Sequence, residues 1–166
     1  EAFEGNGPLA GLDFAPRMDQ SGCIASNEWI VAMADGSIVR SEYGIVIQDL
    51  DGDGHEQTGW ALMYLHVGTE DRVPAGAYLE AGQQIGHPSC EGGRATGTHL
   101  HIARKYNGVW IAADGPIPFV LDDWVAHAGE KSYLGTLTRE TETVIAHQFG
   151  SAVSLITRDE PGKEAK

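Results

Sequence analysis

Three observations predict a mainly β protein, with a compact antiparallel sheet or sandwich built mostly from hairpins. Apolar residues almost nowhere recur at the spacing of an amphipathic helix. The 166 residues include 22 glycines, a content that favours turns over long helices. Short runs of β-favouring residues alternate with turn sequences such as Asp51-Gly52-Asp53-Gly54. A chain of this length also fits one domain with one core.

Glycine-containing turns separate the predicted strands. The dipeptide Asn107-Gly108 lies between two β-rich runs and predicts a type I′ hairpin, because both of its positions need positive φ angles. Asp35-Gly36 predicts a second hairpin of the same kind. The predicted strands are Trp29–Ala34, Ser37–Val39, Tyr43–Asp49, Gly59–His66, Leu100–Ala103 and Val109–Ala112.

The remaining segments are expected to be shorter or less regular. Glycines recur at close intervals from Val73 to Gly86 and predict tight corners between very short strands. Residues 115–125 are expected to form an extended segment that packs apolar side chains. Residues 132–157 are expected to add one or two strands.

The excess of acidic residues excludes several classes of partner. The chain has 11 Lys and Arg residues against 24 Asp and Glu residues, so its formal net charge is −13. Binding to nucleic acid, anionic membranes or anionic wall polymers depends on basic side chains, so we expect none of these partners. No stretch reaches the roughly 20 apolar residues of a membrane-spanning helix, so membrane insertion is not expected either.

The two cysteines and the first residue bear on the compartment. Cys23 and Cys90 either form one disulfide, which implies an oxidising compartment, or remain two thiols in the core. The sequence opens at Glu1 without an initiator methionine or a signal peptide. It is therefore expected to be a mature product or a fragment.

Histidines with strand spacing form the most informative segment. Side chains at i and i+2 of a strand point to the same face, so His99 and His101 would lie side by side. Such a pair can bind a metal ion or place one ligand beside a catalytic base, although many such pairs are surface histidines. His66 ends a predicted strand, and Asp13 lies between apolar neighbours. A buried Asp13 needs a partner or a metal ion, whereas at a strand start it would be a turn residue.

A second acidic motif follows the predicted strand Tyr43–Asp49. Asp49, Asp51 and Asp53 match the first half of a calcium-binding loop, in which a cation would relieve the repulsion between the carboxylates. The second half does not match, because Trp60 stands where the calcium-loop pattern has a glutamate. The segment is either a Ca²⁺ site or an acidic hairpin turn in solvent.

Taken in order along the chain, these segments resemble the lysostaphin/LytM-type zinc metallopeptidases, which are endopeptidases of peptidoglycan cross-bridges. The resemblance covers residues 9–125, and the His-x-His sequence after Gly97-Thr98 is its most specific part. The insertion Asp49–Gly59 and the stretch Pro88–Gly93 look closer to the β-lytic or staphylolytic branch. The matching segments are Leu12-Asp13-Phe14, Tyr64-Leu65-His66, Val73–Gly86 and Gly97–His101.

The resemblance implies a lysostaphin-like fold of the duplicated hybrid motif type, with long loops around a groove above a zinc ion. It implies that Asp13 and His101 bind Zn²⁺ and that His66 and His99 are the catalytic histidines. A zinc-activated water would attack the peptide bond while the two histidines transfer protons. The resemblance implies a secreted or extracytoplasmic enzyme, expected to be a monomer, that hydrolyses peptidoglycan peptides or other Gly-rich peptides.

The resemblance also suggests a layout for the chain. Residues 1–125 are expected to form the LytM-type peptidase domain core, and residues 126–157 a β extension packed on the same domain. Residues 158–166 are polar and charged and are expected to be a disordered tail. Because the staphylolytic branch carries disulfides, the resemblance favours pairing of Cys23 with Cys90.

One expected zinc ligand is missing from the sequence. The family has a third ligand, a histidine upstream of the aspartate, at the position of Leu9 in the compact branch and at or just before Glu1 in the other. No histidine precedes His55. We expect the ligand upstream of Glu1, because Asp13 and the other site residues are retained, and we expect weak zinc binding without it. Two alternatives stay open: a catalytically degenerate LytM-type domain that binds wall material or activates an amidase, and a calcium-stabilised β module that binds carbohydrate.

Overall fold

The computed structural model describes residues 11–17, 22–131, 133–147 and 153–156. Every regular element in these ranges is a β-strand, as the lack of helical spacing predicts. None of the described segments is a helix long and apolar enough to cross a membrane. The strands are β1 Gly11–Phe14, β2 Ile30–Val31, β3 Gly36–Glu42, β4 Ile45–Asp49, β5 Trp60–Leu65, β6 Tyr78–Leu79, β7 Gln84–Gly86, β8 Leu100–Tyr106, β9 Val109–Ile111, β10 Val120–Leu121, β11 Trp124–His127, β12 Thr136–Arg139 and β13 Glu142–Ile145.

The largest sheet is antiparallel and has the strand order β1-β8-β5-β4-β3-β6, with β9 also paired to β8. One edge of β8 pairs with β5. The other edge pairs first with β1, over Leu100–Ala103, and then with β9, over Arg104–Tyr106. Strand β1 therefore lies beside the first half of β8, which contains His101, the second histidine of the His-x-His sequence.

The sheet buries apolar side chains on both faces, because successive residues of a strand point to opposite sides. Leu62, Tyr64 and Ile102 belong to the larger core, which also contains Ile30 and Ile85 from the two-stranded β2–β7 sheet. Trp110 packs against a smaller cluster, whose buried members are Ile47, Ala61, Met63, Leu65 and Ala103. The mainly β, antiparallel fold that the sequence predicts is thus confirmed.

The C-terminal sheet has the order β10-β11-β12-β13, and Trp124 of β11 packs into the larger core. Arg104 of β8 is only 8% exposed and reaches the segment that leads to β10. Its guanidinium donates hydrogen bonds to the carbonyl oxygens of Pro118 at 3.0 Å and Ala112 at 3.1 Å, and also to that of Ile117. These bonds fasten the connection between the two sheets to the centre of the main sheet.

One predicted hairpin is confirmed and the other is wrong. The residues Asn107-Gly108 have φ angles of 46° and 75°, as the type I′ turn between β8 and β9 requires. Asp35-Gly36 forms no hairpin, because β2 pairs with β7, whereas β3 pairs with β4 and β6. A two-residue turn lies instead at Tyr43-Gly44, with φ angles of 48° and 75°. The strand predicted from Tyr43 therefore begins at Ile45.

Several predicted strands change length for reasons of long-range packing. Trp29–Ala34 shortens to the two residues of β2, and Ser37–Val39 lengthens into β3. Leu100–Ala103 lengthens into β8, whose charged residues are buried through distant partners. The Lys105 ammonium, for example, lies 3.4 Å from the Glu56 carboxylate, 49 positions away in the chain. The prediction ends this strand at Ala103 because charged residues are usually exposed, whereas Arg104 and Lys105 are buried and continue β8.

The glycine corners occur as predicted. Gly76 and Gly82, each with a φ angle of 89°, flank β6, and β7 follows. Residues 132–157 contribute two strands, β12 and β13, whereas residues 115–125 contribute β10 and the start of β11 instead of one extended segment. The expected tail at residues 158–166 lies outside the described residues, and the predicted domain limits stay predictions.

Candidate metal centre and flanking histidines

Strands β1 and β8 bring the two predicted zinc ligands together. Asp13 and His101 lie directly opposite each other in the antiparallel register, and opposed side chains share one face of a sheet. The Asp13 Oδ1 and His101 Nδ1 atoms are 2.6 Å apart, so the imidazole donates a short hydrogen bond to the carboxylate. The pair forms although the two residues are 88 positions apart in the chain.

His99 lies beside this pair. Its Nε2 atom is 3.9 Å from Asp13 Oδ1, and its Nδ1 atom is 2.8 Å from the carbonyl oxygen of Gly97. Because a carbonyl only accepts hydrogen bonds, the proton of the neutral His99 ring is assigned to Nδ1. Nε2, the nitrogen nearer to Asp13, is then the proton acceptor.

His66 completes the group from the end of β5. It is 3% exposed, and its ring centroid lies 4.3 Å from that of His99. Its Nδ1 atom is 2.7 Å from the carbonyl oxygen of Glu91, so its proton too is assigned to Nδ1. Burial lowers the pKa of His66, and the neighbouring His99 and His101 rings add to this effect. The ring is therefore neutral near pH 7 and able to accept a proton.

A disulfide joins the loops around these histidines. Cys23 and Cys90 are bonded, with their α-carbons 5.7 Å apart, so the disulfide reading is confirmed and the two-thiol reading is wrong. Next to it, Ile24 N–H donates a hydrogen bond to the Thr98 hydroxyl at 3.0 Å, and Thr98 N–H donates to the Gly22 carbonyl oxygen at 3.0 Å. The segment after β1 is thereby tied both to the loop before Glu91 and to the residue before His99.

The donor set of Asp13 and His101 fits zinc, which binds carboxylate oxygens and imidazole nitrogens. Ligands of one zinc ion lie roughly 2 Å from the metal and thus about 3 Å from each other. The two atoms would therefore separate slightly and lose their shared proton on binding. Within the described residues no other histidine, cysteine, aspartate or glutamate joins them in a three-ligand group. These residues could thus hold a zinc ion with two protein ligands, whereas a catalytic zinc site uses three.

The acidic motif forms a separate cluster at the loop between β4 and β5. Ligand atoms of Asp49, Asp51 and Asp53 lie within 4.8 Å of one another. The buried Asp49 carboxylate accepts hydrogen bonds from the N–H groups of Asp51 at 3.2 Å and Gly54 at 2.8 Å. A hydrogen bond between the Asp51 and Asp49 side chains is the main reason why the pKa of Asp51 is raised. The carboxylates organise this loop, and Ca²⁺ binding stays a prediction.

Glu56 does not join the acidic cluster, because basic side chains neutralise it. Its Oε2 atom lies 3.0 Å from the Arg40 guanidinium and 3.4 Å from the Lys105 ammonium. A calcium loop closed by a bidentate glutamate is therefore not formed by this residue. The position that the calcium pattern assigns to glutamate is held by Trp60, as the sequence shows.

Sequence reasoning missed the residues that hold His66. The Glu91 carboxylate accepts hydrogen bonds from Thr69 N–H at 2.8 Å and from the Thr69 hydroxyl at 2.6 Å. The Ser89 hydroxyl donates to the His66 carbonyl oxygen at 3.0 Å. These residues lie in loops without regular spacing, and only the nearby Cys90 marks that part of the sequence.

The fold and this site define a lysostaphin-like β domain in which a carboxylate and an imidazole share a short hydrogen bond beside two further histidines. The sequence model of peptidase family M23 matches residues 10–113 of the chain. The chain belongs to this family of metallopeptidases, so the resemblance seen in the sequence is confirmed. The matched range contains every candidate metal and histidine residue described above.

Two curated relatives share parts of this range. Protease LasA of Pseudomonas aeruginosa is 34% identical over 65 residues, which cover 35% of this chain and 15% of that protein. The beta-lytic metalloendopeptidase of Achromobacter lyticus is 29% identical over 121 residues, which cover 67% of this chain and 29% of that protein. The chain thus spans less than a third of the length of either relative.

A solved structure supports the fold. The M23 metalloprotease pseudoalterin from the deep sea superposes with a TM-score of 0.64 at 20% sequence identity. The match covers 82% of this chain and 79% of the other. At this identity the likeness concerns the fold alone, and it extends beyond residue 113 into the C-terminal part of the chain.

Proposed function

We propose that this protein is a zinc-dependent endopeptidase that hydrolyses peptide bonds in peptidoglycan cross-links or other glycine-rich peptides. The observation that carries the proposal is the placement of the Asp13–His101 pair beside the rings of His66 and His99. One carboxylate and one imidazole suit a metal ion, and two further imidazoles suit proton transfer. Such a combination is what amide hydrolysis by an activated water requires.

The roles of the residues follow from their hydrogen bonds. Asp13 Oδ1 and His101 Nδ1 would hold the zinc ion, which supplies a water of lowered pKa and polarises the scissile carbonyl. His66 and His99 each hold a proton on Nδ1 against a carbonyl oxygen, which leaves Nε2 to accept a proton from the attacking water. The protonated ring then acts as a general acid toward the leaving amine or stabilises the oxyanion.

The substrate class is supported by charge and by the relatives. A net charge of −13 disfavours adsorption to anionic wall polymers, so recognition would depend on the peptide portion of the wall. The names of the similar proteins describe a protease and a beta-lytic metalloendopeptidase. The Cys23–Cys90 disulfide favours an oxidising compartment, which fits a secreted or extracytoplasmic protein.

A second candidate function has one observation in its favour. Among the described residues only two ligands meet at Asp13 and His101, and a catalytic zinc site uses three. A catalytically degenerate domain that binds wall material or activates an amidase would need no metal. The retained His66 and His99 rings, both oriented by hydrogen bonds, favour the peptidase.

The test measures zinc per chain and cleavage in the same samples. Zinc is determined by elemental analysis after dialysis against trace zinc, and cleavage of purified peptidoglycan and of a glycine-rich peptide is followed by mass spectrometry. In the chain extended by its native residues upstream of Glu1, the peptidase predicts near-stoichiometric zinc that is lost in Asp13→Ala, and cleavage that is lost in His66→Ala while zinc is retained. His127→Ala is the matched control, because this exposed histidine bonds Thr138 in the C-terminal sheet. A protein that shows neither zinc nor cleavage even when its native residues upstream of Glu1 are included is the degenerate domain.

Calcium is a separate proposal for the Asp49, Asp51 and Asp53 loop. Bound Ca²⁺ would offset the crowding of three carboxylates and raise the thermal unfolding midpoint. The Asp51→Asn variant, which removes an exposed carboxylate, would lose this response. An equal response to Mg²⁺, or no response to either ion, would leave the loop as an acidic turn. Carbohydrate binding that does not depend on Ca²⁺ would contradict the hypothesis of a calcium-stabilised carbohydrate-binding module.

A further inference from the structure

His66 has an unusual backbone conformation that something must maintain. Its φ angle is 67°, in the left-handed region, where residues other than glycine are uncommon. Such a conformation is unfavourable for a residue with a side chain and persists only where surrounding contacts enforce it. Because His66 directly follows β5, the sheet hydrogen bonds end before it. The stabilising contacts therefore come from loops.

The segment from Ser89 to Glu91 supplies these contacts. Ser89 N–H and the Ser89 hydroxyl both donate to the His66 carbonyl oxygen, at 2.7 Å and 3.0 Å. The Glu91 carbonyl oxygen accepts the His66 Nδ1 proton at 2.7 Å. The same segment thus holds the backbone of His66 at one end and its ring at the other.

The side chain of Glu91 fixes this segment to the loop that follows His66. Its carboxylate accepts both hydrogen bonds of Thr69 and lies 3.8 Å from the Arg72 guanidinium. Arg72 in turn donates to the carbonyl oxygen of Val67 at 3.1 Å. These contacts surround His66, and the Glu91 carboxylate adds a side-chain link between the two loops to the backbone bond from Gly68 N–H to the His87 carbonyl oxygen at 2.8 Å.

We propose that Glu91 is a positioning residue, whose carboxylate anchors on Thr69 and thereby holds the Glu91 carbonyl oxygen against the His66 ring. The anchored carbonyl keeps the ring proton on Nδ1 and the acceptor lone pair on Nε2. The importance of this tautomer for catalysis rests on the proposed peptidase function. The carboxylate itself points to Thr69 and acts on the reaction only through His66.

The test observes the two ring nitrogens of His66 by long-range ¹H–¹⁵N NMR in the zinc-free protein. In the wild type the two nitrogen signals are expected far apart, as in a ring protonated on Nδ1 alone. In Glu91→Ala the signals move toward each other, because both tautomers become populated. Glu91→Gln restores the separation, since its amide can still pair with Thr69. Thr69→Val, which removes one of the two hydrogen bonds, gives a smaller change and serves if Glu91→Ala does not fold.

Kinetics and a matched control complete the experiment. In the active protein Glu91→Ala is expected to lower kcat roughly 10-fold with little change in KM or in bound zinc. Glu142→Ala is the control, because Glu142 is an exposed carboxylate paired with Arg139 far from the histidines. Unchanged His66 signals in both Glu91→Ala and Thr69→Val would overturn the proposal, as would an equal change in Glu142→Ala. If the wild type cleaves nothing even with its native residues upstream of Glu1 included, the peptidase function fails, and the NMR result still decides the role of Glu91.

Discussion

The ring of His101 occupies the space that a side chain at residue 11 would need. A Cβ atom placed on Gly11 would lie 2.4 Å from His101 Nε2 and 2.7 Å from the carbonyl oxygen of Ile102. Both neighbours belong to β8, so neither can move without disturbing the strand. Gly11 therefore lets the imidazole lie flat beside β1, with Nδ1 directed at Asp13.

Gly11→Ala is expected to lower the free energy of unfolding by about 1–3 kcal/mol, because the added methyl overlaps a packed ring and backbone. The loss is measured by urea denaturation, and the displacement of His101 by its ring NMR signals. Gly68→Ala is the control, since the nearest atom to its added methyl lies at an ordinary 3.5 Å. Equal stability of the two variants would contradict the steric role of Gly11.

Replacement of both cysteines, by Cys23→Ser and Cys90→Ser together, is expected to destabilise the protein by about 4 kcal/mol. The disulfide closes a loop with a sequence separation of 67, so its loss frees a large number of unfolded conformations. Urea denaturation measures the change. As a control, a reducing agent should lower the stability of the wild type but leave that of the variant unchanged. A variant as stable as the wild type would refute the prediction.

Tyr64→Phe is expected to cost about 1–3 kcal/mol, because two buried groups would lose their partner. The Tyr64 hydroxyl donates to Gln48 Oε1 at 2.8 Å and accepts from Met33 N–H at 2.9 Å. The same contacts show that Tyr64 is a packed residue and does not line a groove. Tyr43→Phe is the control for thermal and urea unfolding, since Tyr43 is 79% exposed.

The hydrogen bonds of Thr69 lower the pKa of Glu91, with Arg72 adding a smaller attraction. A carboxyl whose folded pKa is lowered stabilises the protein above its unfolded pKa, near 4.3 for glutamate, and loses this contribution as the pH falls through the folded value. The stability difference between the wild type and Glu91→Gln should therefore be present at neutral pH and shrink on acidification below about pH 4. Urea midpoints measured across this range check the sign. A difference that grows toward acid pH would refute it.

Local signals in the sequence predict the strands and the type I′ turn. Short runs of β-favouring residues between turn sequences and the Asn107-Gly108 dipeptide determine structure over only a few residues. The Asp35-Gly36 turn fails because the neighbouring strands β2 and β3 find partners elsewhere in the chain. Asp13 and His101 could be paired in advance only through the family resemblance. Glu91 supports His66 through its backbone carbonyl oxygen. Every residue has such a carbonyl, so the residue types in the sequence do not show which one contacts a histidine.

The strand register that places Asp13 opposite His101 also determines when the Asp13–His101 pair can form during synthesis. Asp13 is synthesised 88 residues before His101 and stays without its partner until the strands between them have followed. A strand that must pair across such a distance closes late, because long-range contacts are slow to form. The Asp13–His101 pair therefore forms only after the strands between the two residues are in place.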